Sequence, residues 1–229
     1  SDQMHFAWAN GSGGNDTFNA STDISSSTLA LMSSNQRGLY VELGAGNDTA
    51  SGSGYGDNFN MGAGTNYVDG GANAGTAPWG GKAQDSLDIY VADQAAANAV
   101  TVTALSSSDA GADKAAYDLG YTSKVAAGSE TDYIKGIESI NVQIWNDANG
   151  NGQRDGSEMS FGRGIPLTVN INEIQLDPAD ATKTAWGTKL SDQMHFAWAN
   201  GSSGNDTFNA ATDVSSATQT LMSSNQGGL

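Results

Sequence analysis

The stretch LGAGNDTASGSGYGDNFNMGAGTNYVD, residues 43–69, decides the fold, because three nine-residue units follow one another in it without a break. A fourth unit, GGKAQDSLD at 80–88, follows a glycine-rich interruption at 70–79 that we expect to be a loop. Glycines recur in the first four places of each unit and permit tight turns. The apolar residue in the eighth place predicts a short strand with one side chain pointing inward. The eighth places hold Ala50, Phe59, Val68 and Leu87.

The sixth place of each unit holds a carboxylate or an amide, at the junction between turn and strand. Such oxygen atoms, together with glycine carbonyls, are ligands for a hard cation shared between successive turns. A flexible glycine-rich linker is the alternative, but a linker does not require a regular apolar residue. The predicted metal ligands of this run are Gly44, Gly46, Asp48, Gly54, Asp57, Gly62, Gly64, Asn66 and Asp85. The unit GSGGNDTFN at 11–19 adds Asp16, and its copy at 201–209 adds Asp206.

This run resembles the calcium-binding nonapeptide of RTX (haemolysin-type) proteins, whose pattern is G-G-x-G-x-D-x-U-x with U a large apolar residue. The resemblance implies a parallel β-roll with calcium ions held between consecutive turns. Four departures, Ala50, Tyr55, Asn66 and Ala83, lead us to expect two or three good calcium sites rather than a full row. The phrase DYIKGIE at 132–138 is similar to one that borders RTX segments.

A second calcium signature is DANGNGQRDGSE, residues 147–158. It fills every required place of the twelve-residue EF-hand loop. The predicted ligands are Asp147, Asn149, Asn151, Gln153 (through its carbonyl), Asp155 and Glu158. The flanking VQIW and MSFG predict strands rather than helices, so a cation here would lock a hairpin. An Asn/Gly-rich hairpin turn without metal is the alternative.

Residues 1–39 recur at 191–229 with a handful of mild differences, such as Gly13 against Ser203. Long internal repeats indicate a tandem array. We therefore predict one full repeat over 1–190, with the roll at about 11–91, a β-rich part with the calcium loop at about 99–176 and a linker at 177–190. Residues 191–229 then begin the next repeat. If the strand His5–Trp8 completes a sheet of the preceding module, identical edges could also pair between chains.

Composition excludes several classes of function. The net charge of −16 disfavours nucleic-acid binding, which needs a basic face, and fits divalent cations that would relieve self-repulsion. The absence of cysteine excludes disulfides and thiolate metal sites. The two histidines, His5 and His195, lie in apolar strands, and we find no nucleophile elbow or phosphate-binding loop, so we predict that the chain is not an enzyme. No stretch approaches a membrane span.

The predicted fold class is mostly β: an RTX-like calcium-binding parallel β-roll with additional strands, a hairpin bearing the EF-hand-like loop and at most one short helix. The predicted function is a calcium-stabilised structural repeat of an extracellular bacterial surface protein, either a spacer or a self-assembling unit of a filament or surface layer. The alternative is an adhesive module that recognises carbohydrate or a host surface. A secreted hydrolase with its catalytic domain elsewhere in a longer protein stays open. The predicted partners are several calcium ions and neighbouring repeats or chains.

Overall fold

The computed structural model describes residues 7–35, 38–71, 84–150, 154, 157–167, 170–173, 176–184, 187–192, 195–200 and 214–225. The chain forms two compact units. The first comprises residues 1–75 and 83–165, and the second comprises 76–82 and 166–229. The proposed repeat boundaries at 190 and 191 stay a prediction.

The described part of the chain forms strands, five α-helices and one 3-10 helix. In chain order they are β1 (Ala7–Asn10), β2 (Thr17–Asn19), α1 (Ala20–Asp23), α2 (Ser26–Asn35), β3 (Leu39–Glu42), β4 (Thr49–Ser51), β5 (Asn58–Asn60), β6 (Gly64–Asp69), β7 (Ser86–Val91), α3 (Gln94–Ala99), β8 (Thr101–Ala104), α4 (Gly111–Asp118), β9 (Ser123–Ala127), β10 (Glu130–Lys135), β11 (Ser139–Trp145), β12 (Met159–Pro166), β13 (Asn170–Glu173), β14 (Leu176–Asp177), β15 (Asp180–Thr184), the 3-10 helix (Leu190–Asp192), β16 (Ala197–Asn200) and α5 (Ser216–Asn225).

Two six-stranded sheets form the first unit. The first sheet has the order β1-β3-β5-β7-β11-β12, and the second has the order β2-β4-β6-β10-β9-β8. The chain alternates between them from β1 to β7, so that units of the nonapeptide run pair in parallel with the unit after next. Phe59 lies beside Leu87 in the first sheet, and Ala50 lies beside Val68 in the second. All four of these eighth-place side chains are fully buried, which confirms the predicted inward position.

The predicted fold class is wrong: the described residues form an α/β-type fold with two mixed six-stranded sheets and five helices, not a pure parallel β-roll. The second sheet ends in strands β10, β9 and β8, which pair antiparallel. Helices α3 and α4 exceed the predicted limit of at most one short helix. Both helices are rich in alanine, the strongest helix former, and Asp93 caps α3 by accepting the Ala96 N–H at 2.8 Å.

Helix α2 is rich in serine and follows the short helix α1, whose last residue is Asp23. The Asp23 carboxylate accepts the Asn19 N–H at 2.7 Å, and Asn19 in turn caps α1 through the Ser21 N–H at 2.9 Å. Two polar side chains thus close this short turn.

In the second unit, β13 pairs antiparallel with β16, and β14 pairs antiparallel with β15. The predicted linker at 177–190 therefore contains strand β15. Leu190 and Phe196 form a small buried cluster. The partly buried side chains packed against this cluster are Leu176, Leu221 and Met222.

Among the described residues, no helix combines the length and the hydropathy that crossing a bilayer would require.

Candidate metal centre

Carboxylates at successive turns of the first sheet form what we call the first ladder: Asp57, Asp85 and Glu138. Each accepts a backbone N–H from the turn before it. The Leu39 N–H donates to Asp57 Oδ1 at 2.6 Å, and the Asp57 N–H donates to Asp85 Oδ1 at 2.7 Å. The Asp85 N–H donates to Glu138 Oε2 at 2.7 Å. The ladder therefore fixes each turn to the next through an acidic side chain.

The second ladder, Asp48, Asn66 and Asp132, lies along the second sheet. The Asp16 N–H donates to Asp48 Oδ1 at 2.8 Å, and the Asp48 N–H donates to Asn66 Oδ1 at 3.0 Å. The Asn66 amide Nδ2 then donates to Asp132 Oδ1 at 2.8 Å. This contact follows from strand register, because Asp132 of β10 lies opposite Asn66 of β6.

Five of the six ladder side chains are withdrawn from solvent, and the sixth, Glu138, is half-buried. Asp48, Asn66, Asp85 and Asp132 are fully buried, and Asp57 is 1% exposed. An isolated carboxylate in such surroundings is costly unless it is paired or coordinates a metal. The ladder geometry thus concentrates negative charge where water cannot solvate it.

Glycine carbonyls lie beside these carboxylates. A Cβ atom on Gly52 would lie 2.5 Å from both Asp57 Oδ2 and the Gly70 carbonyl oxygen. At Gly70 a Cβ would meet the Gly136 carbonyl oxygen and Asp85 Oδ2. Only glycine leaves this space, so carboxylate and carbonyl oxygens from different turns converge on it. Converging oxygens of these two kinds are a typical calcium environment.

The second ladder and its neighbour Glu130 contain carboxylate oxygens without a hydrogen-bond donor. Within the described residues, Asp48 Oδ2, Asp132 Oδ2 and Glu130 Oε1 are buried and accept no hydrogen bond. Glu130 precedes Asp132 by two residues on β10, so both side chains lie on the same face of that strand. Buried acceptors of this kind need an ordered water, a proton or a cation.

Burial also shifts the pKa values of the carboxyl groups in and beside the ladders. Burial raises the pKa of Asp57 to about 6, against the opposing effect of hydrogen bonds from Ser53 and Leu39. Burial, reinforced by repulsion from Asp132, raises the pKa of Glu130, and burial also raises the pKa of Asp132. Without a compensating positive charge, the folded state therefore favours protonated carboxyl groups.

The donor set fits calcium better than a transition metal. In the described part of the chain, no group of three or more His, Cys, Asp or Glu side chains is arranged to hold a metal ion. Structural zinc requires such a group, usually with Cys or His. Calcium instead accepts six to eight oxygens, and carbonyls, amides and water complete its shell. One or two carboxylates together with glycine carbonyls are therefore sufficient.

The predicted turn glycines of the second ladder stack closely on one another. Gly44, Gly62 and Gly64 have φ values of 94°, 75° and 139°, which L side chains rarely adopt. A Cβ on Gly62 would clash with the Gly44 carbonyl oxygen, and one on Gly64 or Gly46 would clash with the carbonyl two turns back. Gly54 lies in the turn before Asp57. These positions are compatible with the predicted carbonyl ligands, whose role stays a prediction.

Of the two aspartates predicted from the unit at 11–19 and from its copy, the structure describes only Asp16. Asp16 is partly buried, and its carboxylate accepts the Ser12 N–H at 3.0 Å while its own N–H donates to Asp48. Asp16 thus begins the second ladder as a donor. Asp206 lies outside the described residues.

The EF-hand-like loop is described only in part, because Asn151, Gln153 and Asp155 lie outside the described residues. Strands β11 and β12 flank the loop and are neighbours in the first sheet, as predicted. The Asn149 N–H donates to Glu158 Oε1 at 3.1 Å, whereas Glu158 Oε2 is buried and receives no hydrogen bond from the described residues. Asp147 begins this loop directly after Asn146, whose N–H donates to the Glu158 carbonyl oxygen.

Sequence reasoning missed three acidic residues of the centre: Glu130, Asp132 and Glu138. The phrase DYIKGIE contains two of them, and its spacing could have found them. Its first residue, Asp132, takes the next place in the second ladder, and its last, Glu138, takes the next place in the first. Glu130 has no such signal in the sequence.

A cavity of about 380 Å³ lies next to Glu130 in the first unit. Arg154 forms an ion pair with Glu42 at this cavity, and its guanidinium lies 4.2 Å from the centroid of the Tyr90 ring. The Trp145 Nε1 is buried and has no hydrogen-bond partner among the described residues. Asn60 and Gly62 also line the cavity. Aromatic and charged groups thus share one concave site.

Comparison with known proteins found no matching family model, no matching curated protein and no matching solved structure.

Proposed function

We propose that the chain is a calcium-stabilised structural repeat of an extracellular bacterial surface protein, of the kind that the RTX resemblance suggests. The observation that supports this proposal most directly is the pair of buried carboxylate ladders, where acidic oxygens and glycine carbonyls converge. A structural repeat requires neither a nucleophile nor a general base, and its residues act by position and charge.

The proposed mechanism is linkage between ion binding and folding. In the unfolded chain the ladder residues are dispersed, so they bind calcium weakly. In the folded chain Asp57 and Asp85 are brought together by the hydrogen bond from the Asp57 N–H to Asp85 Oδ1. Ion binding to the assembled oxygens adds directly to the free energy of folding. Bound calcium supplies the positive charge that the buried carboxylates otherwise lack.

The net charge of −16 also supports folding that depends on calcium. Self-repulsion disfavours the compact state, and bound divalent cations relieve it. The proposed repeat is therefore compact at external calcium concentrations and less compact where free calcium is scarce. That difference suits a protein exported unfolded and assembled outside the cell.

Equilibrium dialysis against radioactive calcium tests the proposal. The wild-type chain should bind two or more ions, and Asp57→Asn should lose at least one of them. Asp118→Asn is the matched control, because Asp118 is an exposed aspartate of α4 that pairs with Lys114. Equal binding by all three proteins would contradict the proposed site, and absence of binding in the wild type would contradict the proposed function.

The cavity beside Glu130 favours a second candidate function, recognition of a carbohydrate. Trp145 and Tyr90 line the cavity with aromatic rings, one face of Tyr90 being covered by the Arg154 guanidinium, and the polar side chains of Arg154, Glu42 and Asn60 border it. Saturation-transfer NMR with a panel of neutral oligosaccharides would test this function. Binding should be lost in Trp145→Ala and kept in Trp8→Ala, since Trp8 is an exposed tryptophan of β1. Equal binding by both variants would contradict a role for the cavity.

A further inference from the structure

The tetrapeptide AWAN occurs twice and forms a strand both times. As β1 (Ala7–Asn10) it pairs in parallel with β3, and as β16 (Ala197–Asn200) it pairs antiparallel with β13. The two copies are 190 residues apart and identical in sequence. One strand sequence thus has two different neighbours in the same chain.

Each pairing has a defined register. In β1, Trp8 lies opposite Tyr40 and Ala9 lies opposite Val41. In β16, Asn200 lies opposite Asn170, Ala199 opposite Ile171, Trp198 opposite Asn172 and Ala197 opposite Glu173. The two pairings use the same four residues, so the second register transfers directly onto β1.

Strand β1 is at the edge of the first sheet, and among the described strands its only neighbour is β3. The Gly11 N–H donates to the Glu42 carbonyl oxygen at 2.7 Å, on the β3 side. Because backbone N–H groups alternate between the two edges of a strand, those of Trp8 and Asn10 point to the open edge. The Trp8 side chain is 59% exposed. An open edge of this kind is a template for another strand.

We infer that the open edge of β1 binds the segment Asn170–Glu173 of another copy of this repeat. The strand pairs antiparallel, with Asn170 opposite Asn10, Ile171 opposite Ala9, Asn172 opposite Trp8 and Glu173 opposite Ala7. This register is the one observed between β13 and β16, applied to the identical residues of β1. The occupant is therefore identified by the chain itself.

In a tandem array the other copy is the preceding repeat. Each AWAN strand then lies between β13 of one repeat and β3 of the next, so that a sheet continues across the junction. Main-chain hydrogen bonds supply the affinity, as in other cases of strand addition. The inference names the partner of the proposed structural repeat, but it does not depend on calcium binding.

Disulfide cross-linking tests the register, because the chain has no cysteine of its own. With Trp8 and Asn10 directed to the incoming strand, Ala9 and Ile171 form a non-hydrogen-bonded pair, whose Cα atoms lie about 4.5 Å apart. That spacing suits a disulfide. The probe is a synthetic peptide with the sequence of residues 167–177 carrying cysteine in place of Ile171, added to the full chain with Ala9→Cys in a glutathione buffer.

The cross-link should form several times faster with this peptide than with the same peptide carrying cysteine in place of Glu173, which is out of register. The double variant Ile171→Cys, Ala199→Cys of the full chain is the positive control and should close an intramolecular disulfide. Equal rates for the two peptides, or no cross-link while the positive control closes, would overturn the inference.

Two further conditions separate the possible outcomes. Sedimentation of the wild-type chain over a range of concentrations distinguishes the sources of the strand. Growth of the sedimenting species with concentration indicates pairing between chains, and a monomer that still cross-links the peptide indicates a junction within an array.

Repeating the cross-linking in calcium and in chelator separates this inference from the proposed function. A peptide cross-link without any calcium response would refute the calcium mechanism alone.

Discussion

In both ladders side-chain oxygens accept hydrogen bonds from a neighbouring turn, but the two ladders use different side chains. The first consists entirely of carboxylates, Asp57, Asp85 and Glu138, so each step adds negative charge. The second has an amide at its middle step, and Asn66 accepts the Asp48 N–H while donating to Asp132. Hydrogen bonds connect the turns in both ladders, but a row of buried carboxylates accumulates negative charge, which an amide does not carry. We therefore expect the first ladder to depend more strongly on calcium.

The largest effect should come from breaking the first ladder with Asp57→Ala. This change removes a calcium ligand and leaves the Leu39 and Ser53 donors without their acceptor. The free energy of unfolding in calcium should fall by about 4 kcal/mol, since each buried unsatisfied donor costs about 1–3 kcal/mol. Urea denaturation measures this change. A loss below that of the exposed control Asp118→Ala would show that the first ladder contributes nothing.

Acidification in chelator should have the next largest effect. The pKa of Asp57 is about 6 in the folded chain, above its ordinary value of 3.8, so protonation favours folding. The stabilisation is present in full below the unfolded pKa and is lost as the pH rises through 6. It amounts to about 3 kcal/mol at most. The β signal in far-UV circular dichroism should increase from pH 7 to pH 4.5 in chelator, and Asp57→Asn should weaken that increase. A loss of β signal on acidification in chelator would contradict the account.

The variant Asn66→Asp should make the second ladder resemble the first. It removes the hydrogen bond from Asn66 Nδ2 to Asp132 and places two carboxylates against each other. We expect a loss of about 2 kcal/mol at limiting calcium, the cost of a buried polar contact. Most of that loss should be recovered in saturating calcium. Thermal melts at the two calcium concentrations measure both values, and equal loss in the two buffers would mean that the amide is not what separates the ladders.

The smallest effect should come from Glu158→Gln in the EF-hand-like loop. One oxygen of Glu158 accepts the Asn149 N–H, and a glutamine keeps that acceptor. The loop joins two strands outside both ladders, so the free energy of unfolding in calcium should fall by about 1 kcal/mol or less, as for a single exposed hydrogen bond. Urea denaturation with Asp118→Asn, which also removes one negative charge at an exposed position, as the control checks this value. A loss as large as that of Asp57→Ala would place the dominant site in the loop.

The nonapeptide spacing predicted the strands and the buried eighth-place residues because both follow from local turn geometry. It also predicted Asp57 and Asp85 as metal ligands, a role that stays a prediction. The two residues lie on successive turns of the first sheet. The alanine-rich helices α3 and α4 were missed because strand periodicity was given more weight than helix propensity. Glu130 was missed for another reason. Its place opposite Gly64 depends on the parallel pairing of β10 with β6, across 66 residues of sequence.

The pairing of β13 with β16 shows the same limit. The sequence indicates that AWAN forms a strand, but no local pattern says which neighbour it takes. The two neighbours of the repeated tetrapeptide become known only when the structure shows both pairings. Long-range partners are thus the part of this fold that the sequence did not predict.

The central claim is that oxygens in the two ladders need calcium before the chain becomes compact. Far-UV circular dichroism during a calcium titration of chelated protein at pH 7, with magnesium as the control ion, tests it most directly. The account predicts a cooperative gain of β signal with calcium and little change with equal magnesium. A chain already fully folded in chelator, with no further change on adding calcium, would contradict it.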